Sequence, residues 1–304
     1  MKTYLVRRAL HTILAFVLLI ILVFVFSHSI GDPARLIAPD WASEEMVYAL
    51  KGKMGLNDPL QEQFARYAAG LVRLDFGTSL WQGVPVLQLI MSRLPATFLL
   101  ALVSISLAVF GGILLGALAA IKPRSALDRS MSTLSVVLVT SVDFWVALML
   151  ILLVSVGLGW LPTSGYGEAK HIVLPALVVA LRPMGRIAQV TRPALIGELA
   201  KPYVVALRAR GLLEKNVMVH ACKNAGIVLL TLTGMEFLSL VNGSAIIETV
   251  FAWPGVGFLL VQAIRMRDWP LILGTTIVVA SIIIALNLII DLLYGWLDPR
   301  VRYK

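Results

Sequence analysis

Charge is scarce in this chain. Asp, Glu, Lys and Arg make up 14% of 304 residues, while 59% are hydrophobic, and mean hydropathy is +0.89. Ordinary globular proteins carry roughly a quarter charged residues, so a soluble fold is disfavoured at once. Cysteine is nearly absent. Cys222 stands alone, which excludes an intrachain disulfide and leaves no cysteine metal cluster. The four histidines, His11, His28, His171 and His220, lie far apart and show no paired-ligand spacing. No Gly-x4-Gly-Lys-Ser/Thr occurs, so a phosphate-cradling P-loop is excluded, and no Gly-x-Ser-x-Gly elbow is present. "PGVG" at Pro254–Gly257 supplies two glycines of a dinucleotide pattern without the third. These absences lead to the expectation of no catalytic residue, no metal ligand and no cofactor in this polypeptide.

What the chain has instead is long apolar runs. A hydrocarbon core of about 30 Å takes roughly 20 apolar helical residues to cross. Six runs meet that length: Ala9–Ser29, Ala96–Ile121, Met131–Leu158, His171–Val190, Ala225–Thr249 and Trp269–Trp296. The first follows Lys2, Arg7 and Arg8 as a cleaved signal would. It is long for such a segment and no small-x-small site follows, so it is read as a retained span. The fold class expected is an all-α polytopic membrane protein with six transmembrane helices and both termini on one side.

Lysine and arginine decide which side. Residues 1–8, 121–130, 191–224 and 298–304 hold three, three, six and three of them, whereas the short loops on the other side hold only Lys170, Arg265 and Arg267. Cytoplasmic loops carry the basic excess, so both termini are expected in the cytoplasm. The net charge of +9 does not indicate nucleic acid, because the basic residues sit at the ends of apolar segments and form no aromatic-interleaved face. The expected organisation is residues 1–29 as N-terminus and first span, 30–95 as an extracytoplasmic cap, and 96–304 as a five-helix core with an inner loop at about 191–224. Within the cap, Ser43 is placed to cap a helix that Gly55 ends. Asp58 followed by Pro59 is placed to open another.

Ionisable groups at membrane depth are costly and face protein or water. Asp143 and Glu236 interrupt apolar runs, and Asn242, Asn287 and Asp291 add polar groups. Asp143, Glu236 and Asn242 are candidates for a hydrated translocation path, and helix–helix hydrogen bonds within the subunit are the alternative. Asp291 is read as structural. Asp143 and Glu236 would also be the proton-transfer pair of a membrane enzyme or a proton-coupled carrier. Pro183 and Gly185 are expected to weaken their helix, with Arg182 and Arg186 reaching for the inner interface. Gly112 and Gly116, four apart, mark a close-packing face.

Between the fourth and fifth runs lies "YVVALRARGLLEKNVMVH", Tyr203–His220. Pro202 forces a break or a new start, and Gly211 divides two helical pieces. Leu212, Leu213, Val217 and Met218 beside Arg208, Arg210 and Lys215 are expected to form a mixed surface. Such a surface could rest on anionic lipid or dock into a soluble partner.

"YVVALRARGLLEK" resembles the coupling segment of ABC-importer permeases, with Gly211 on its glycine and Ala206 and Leu207 on its two alanine positions. "MGLNDPLQEQF", "LDFGTSL", "RLPATFLLAL", "LGWLPTSGYG", "HIVLPAL", "ETVFAWPGVGFLLVQAI", "RDWP" and "DPRVRYK" resemble the dipeptide/oligopeptide/nickel branch, in its order and over about nine tenths of the chain. Val142-Asp143 departs from the pattern, which often has proline and a small polar residue there. The resemblance implies a type I importer permease in a bacterial inner membrane. It implies a second homologous permease, two cytoplasmic ATPases carrying ATP and Mg, and an extracytoplasmic solute-binding protein as partners. Ala206, Leu207, Arg208, Arg210, Gly211, Leu212 and Glu214 would then contact an ATPase. Peptides or a related solute are the implied cargo, with nickel or a metal chelate as the alternative, to which "GYGEAKHIVLPAL" leans.

Overall fold

A computed structural model describes residues 2–29, 41–54 and 57–297. Gly55, the segment 298–304 and the side chains of Asn242 and Asp291 lie outside the described residues. The elements are helices α1 (Lys2–Ser29), α2 (Glu44–Met54), α3 (Leu60–Val72), α4 (Val86–Ile121), α5 (Ala126–Thr140) and α6 (Asp143–Leu150, continued as a wider π-helical turn over Ile151–Gly157). They continue as α7 (Ala169–Leu199), α8 (Pro202–Ala209), α9 (Glu214–Gly243), α10 (Ala245–Val250), α11 (Val256–Arg265) and α12 (Trp269–Leu297). Among the described residues there is no strand, only one isolated bridge between Thr78 and Pro85.

Among the described residues three helices are long and apolar enough to cross a membrane, within Val86–Ile121, Ala169–Leu199 and Trp269–Ile290, and counting each of two bent pairs as one span raises the number to five. The described apolar stretch of α1, Leu10–Val25, is shorter. One bend corrects the sequence reading. The run Met131–Leu158 is not a single rod: α5 and α6 meet at 101°. The physical reason lies in "TSVD". Thr140 and Ser141 turn their hydroxyls back onto the carbonyls of Val136 and Val137, which competes with continued helix. Asp143 then starts a new helix, where a carboxylate faces the positive end of the helix dipole.

The described residues form two compact units, one drawn from 1–95 and 258–288 and the other from 96–257 and 289–304. In the first, Val23, Leu71 and Ile277 form a core against Tyr67, Phe76 and Leu273, and Phe24 meets the edge of Phe64 at 5.2 Å. Ser43 caps α2 as expected, its Oγ accepting from the Met46 amide at 3.3 Å. Asp58 does not cap α3: that helix starts one residue later, from Pro59. The Asp58 carboxylate instead binds Arg66. Asp268, fully buried, holds the loop before α4, accepting from Ser79 Oγ at 2.5 Å and the Trp81 amide at 3.2 Å.

In the second unit α7 packs against α5, α6 and α9, and its buried residues Val178, Val179, Ala180 and Ile187 join Ala101, Ile105 and Phe251 in the main core. Pro175, Pro183 and Pro193 all lie inside α7, yet it runs unbroken for 31 residues. Pro183 and Gly185 are accommodated within this continuous helix. Gly185 is there for closeness, since a Cβ would fall 2.6 Å from the Ser135 carbonyl oxygen. Gly112 and Gly116 do form a close-packing face, and it is internal: a Cβ would fall 2.7 Å from Ile187 at the first and 2.5 Å from Thr191 at the second.

Candidate coupling element and interhelical ion pairs

The sequence between α7 and α9 builds a sharp elbow. Lys201 binds Glu198 at 2.5 Å, Tyr203 donates to Glu198 at 3.1 Å, and Pro202 takes the first position of α8. There its missing N–H costs nothing. At the far end the Gly211 amide bonds the Arg208 carbonyl at 2.9 Å, and the Leu212 amide bonds the Leu207 carbonyl at 3.3 Å. That pair of bonds is the Schellman motif, which needs a left-handed residue after the cap. Gly211 supplies it with φ +78°. Arg208 then clasps Glu214 in the first turn of α9, Nε to Oε1 at 2.8 Å and Nη2 to Oε2 at 3.2 Å.

Of the predicted coupling residues, Ala206, Arg208, Arg210, Gly211 and Glu214 are exposed, and Leu207 and Leu212 are half-buried. Val204 is fully buried and anchors the elbow. The mixed surface differs from expectation. Val217 is buried and Met218 packs on the cluster of Ala120, Leu195, Ala221 and Ala225. Val205 and Leu213 are the apolar side chains left exposed beside the arginines. Helical spacing explains this: Val217 and Ala221, four apart, lie on one face of α9.

Three arginines of α7 each meet a carboxylate from a different helix. Arg182 lies 3.4 Å from Asp143 of α6, and Arg186 lies 3.2 Å from Glu236 of α9. Arg192 binds Asp128 of α5 at 2.6 and 2.7 Å. Arg182 and Arg186 thus reach carboxylates, contrary to the expectation that they run to the membrane interface. Asp143 and Glu236 have separate arginine partners, whereas Asn242 offers no described side chain. Asp128 went unremarked in the sequence. Its carboxylate also accepts from the Arg124 amide at 2.8 Å, and Ser125 caps the same helix.

A second buried knot was also missed. Glu248 is fully buried and accepts from Thr97 Oγ1 and Ser244 Oγ, both at 2.9 Å. Thr97 in turn accepts from the Val256 amide at 2.8 Å, and Trp253 donates its indole N–H to the Ala96 carbonyl at 2.9 Å. The glycines of "PGVG" serve this knot. A Cβ at Gly255 would strike the Glu248 carboxylate, and one at Gly257 would come within 2.5 Å of the Ala245 backbone.

Similarity to known proteins agrees with a transport subunit. The family model described as binding-protein-dependent transport system inner membrane component matches residues 112–303, and its N-terminal counterpart matches residues 1–101. The chain belongs to this permease family. Among its relatives are the oligopeptide transport system permease protein AppB of Bacillus subtilis, 36% identical over 316 residues, and a putative peptide transport system permease protein of Brucella abortus, 36% identical over 313. The glutathione transport system permease protein GsiC of Salmonella paratyphi A is 36% identical over 306. Each alignment covers 100% of this chain and 100% of the relative. The permease is accordingly a multi-pass inner-membrane transport component, not a catalytic one. It belongs to systems that pair such a component with a solute-binding protein and an ATPase.

Proposed function

We propose that the permease crosses the membrane six times with both termini in the cytoplasm. In this reading it pairs with a second homologous permease and imports peptides handed over by an extracytoplasmic binding protein. Two cytoplasmic ATPases, which carry the ATP and Mg, grip the elbow at residues 202–214. Residues 1–29 and 96–304 then form the membrane core, and residues 30–95 form the cap on which the binding protein sits.

The observation that carries the reading is the elbow itself. A Schellman turn at Gly211 and the Arg208–Glu214 clasp fix its shape, while Val204 and Val217 tie it to the bundle. A rigid, bundle-linked projection transmits displacement; a loop held only at its ends does not. ATP-driven closure of the ATPases would push on this projection and rock the bundle to alternate access. The peptide cargo is favoured over nickel by the relatives, which are named for peptides, oligopeptides and glutathione. A proton-coupled carrier is disfavoured by the family, which is described as binding-protein-dependent.

Uptake of a labelled tripeptide into proteoliposomes holding the full complex, loaded with ATP and Mg, tests the function. Uptake is expected to require ATP and the binding protein and to persist when an ionophore collapses the proton gradient. Uptake that fails with the ionophore while ATP remains would overturn the reading in favour of a carrier.

A further inference from the structure

The three arginines of α7 are not held alike. Arg192 makes two short bonds to a carboxylate that is itself nearly buried. Arg182 has one contact at 3.4 Å and Arg186 one at 3.2 Å. A guanidinium carries five N–H donors in a planar fork, so both of these are mostly unspent. The Arg182 Nε is buried and has no hydrogen-bond partner among the described residues. The side chains of Arg182 and Arg186 are nonetheless 43% and 45% exposed.

Depth makes this exposure meaningful. The apolar run His171–Val190 within α7 spans about 30 Å at 1.5 Å per residue, the thickness of a hydrocarbon core of about 30 Å. Arg182 lies near the middle of that run and Arg186 one helical turn nearer its end. A half-exposed charge at such depth faces water or protein, not lipid. Residues four apart share one helix face, so the two guanidinium groups sit one helical turn apart, one against α6 and the other against α9.

We propose that Arg182 and Arg186 form a carboxylate-binding step in the translocation path, taking the C-terminal carboxylate of a passing peptide. This rests on the peptide-import reading. Asp143 and Glu236 are the resting occupants. They neutralise the arginines when the path is empty, and the incoming carboxylate competes with them for the fork. Single, long contacts suit exchange, whereas the bidentate Arg192–Asp128 pair does not.

The test uses the complete transporter in proteoliposomes with two tripeptides, one a free acid and the other its C-terminal amide. Arg182→Gln/Arg186→Gln is expected to lower uptake of the acid by about tenfold or more relative to wild type and that of the amide by less than about twofold. Asp143→Asn removes a competitor. It is expected to move the half-saturating concentration of the acid downward by about threefold or more, opposite in sign to Arg182→Gln. This arm needs no amide and decides the matter even where the binding protein refuses one. If Asp143→Asn and Arg182→Gln both weaken uptake, and equally for acid and amide, the pair is a packing contact and the proposal falls. If wild type imports neither tripeptide, the peptide reading itself fails and takes the proposal with it.

Discussion

Glu248→Ala is expected to lower the stability of the permease by about 3 kcal/mol or more, because buried hydroxyl donors left without a partner cost about 1–3 kcal/mol each. The carboxylate is fully buried and is the acceptor for both Thr97 and Ser244. Its loss also leaves a void beside Gly255 and Gly257, which carry no side chain to fill it. Glu248→Gln keeps one acceptor oxygen and is expected to lose less than the alanine variant. The measurement is the unfolding midpoint in a mild detergent. An alanine variant that unfolds with wild type would mean that this knot does not hold residues 244–257 in place.

Arg208→Glu is expected to cut ATP-dependent uptake by about tenfold while leaving the unfolding midpoint close to wild type. The two halves of that statement have separate causes. Exposed ion pairs contribute little to stability, and the clasp from Arg208 to Glu214 is exposed on both sides. A second carboxylate beside Glu214 nevertheless turns attraction into repulsion across the Gly211 turn, so the elbow loses its fixed shape. Arg208→Glu/Glu214→Arg restores the pair with reversed ends and is expected to recover at least about half of the uptake, since a bidentate fork forms in either direction. A swap no better than the single variant would show that the clasp is not what matters at Arg208.

The parts of this structure legible in the sequence are those set by local rules. Apolar length marked the long helices, Pro202 marked the start of α8, Gly211 marked its end, and Ser43 marked the start of α2. The Gly112 and Gly116 spacing showed a contact face, although not which helix met it. The parts that escaped depend on partners distant in the chain. Arg192 and Asp128 are 64 positions apart and Thr97 and Glu248 are 151 apart, and no periodicity links them. Arg182 and Arg186 looked like interface anchors because a single sequence shows the charge and not the carboxylate opposite it. The 101° bend escaped for another reason. "TSVD" is a stop followed by a start, but it sits inside an apolar run long enough to be read straight through.

Elbow position and grip are tested together by the reactivity of one cysteine. In a Cys222→Ser background, Arg210→Cys places a thiol at an exposed position one residue before Gly211. A membrane-impermeant maleimide is expected to label it in inside-out vesicles stripped of the ATPases and to leave it unlabelled in intact spheroplasts. Adding the ATPases back is expected to protect it. Labelling from the outer surface, or equal labelling with and without the ATPases, would contradict the account.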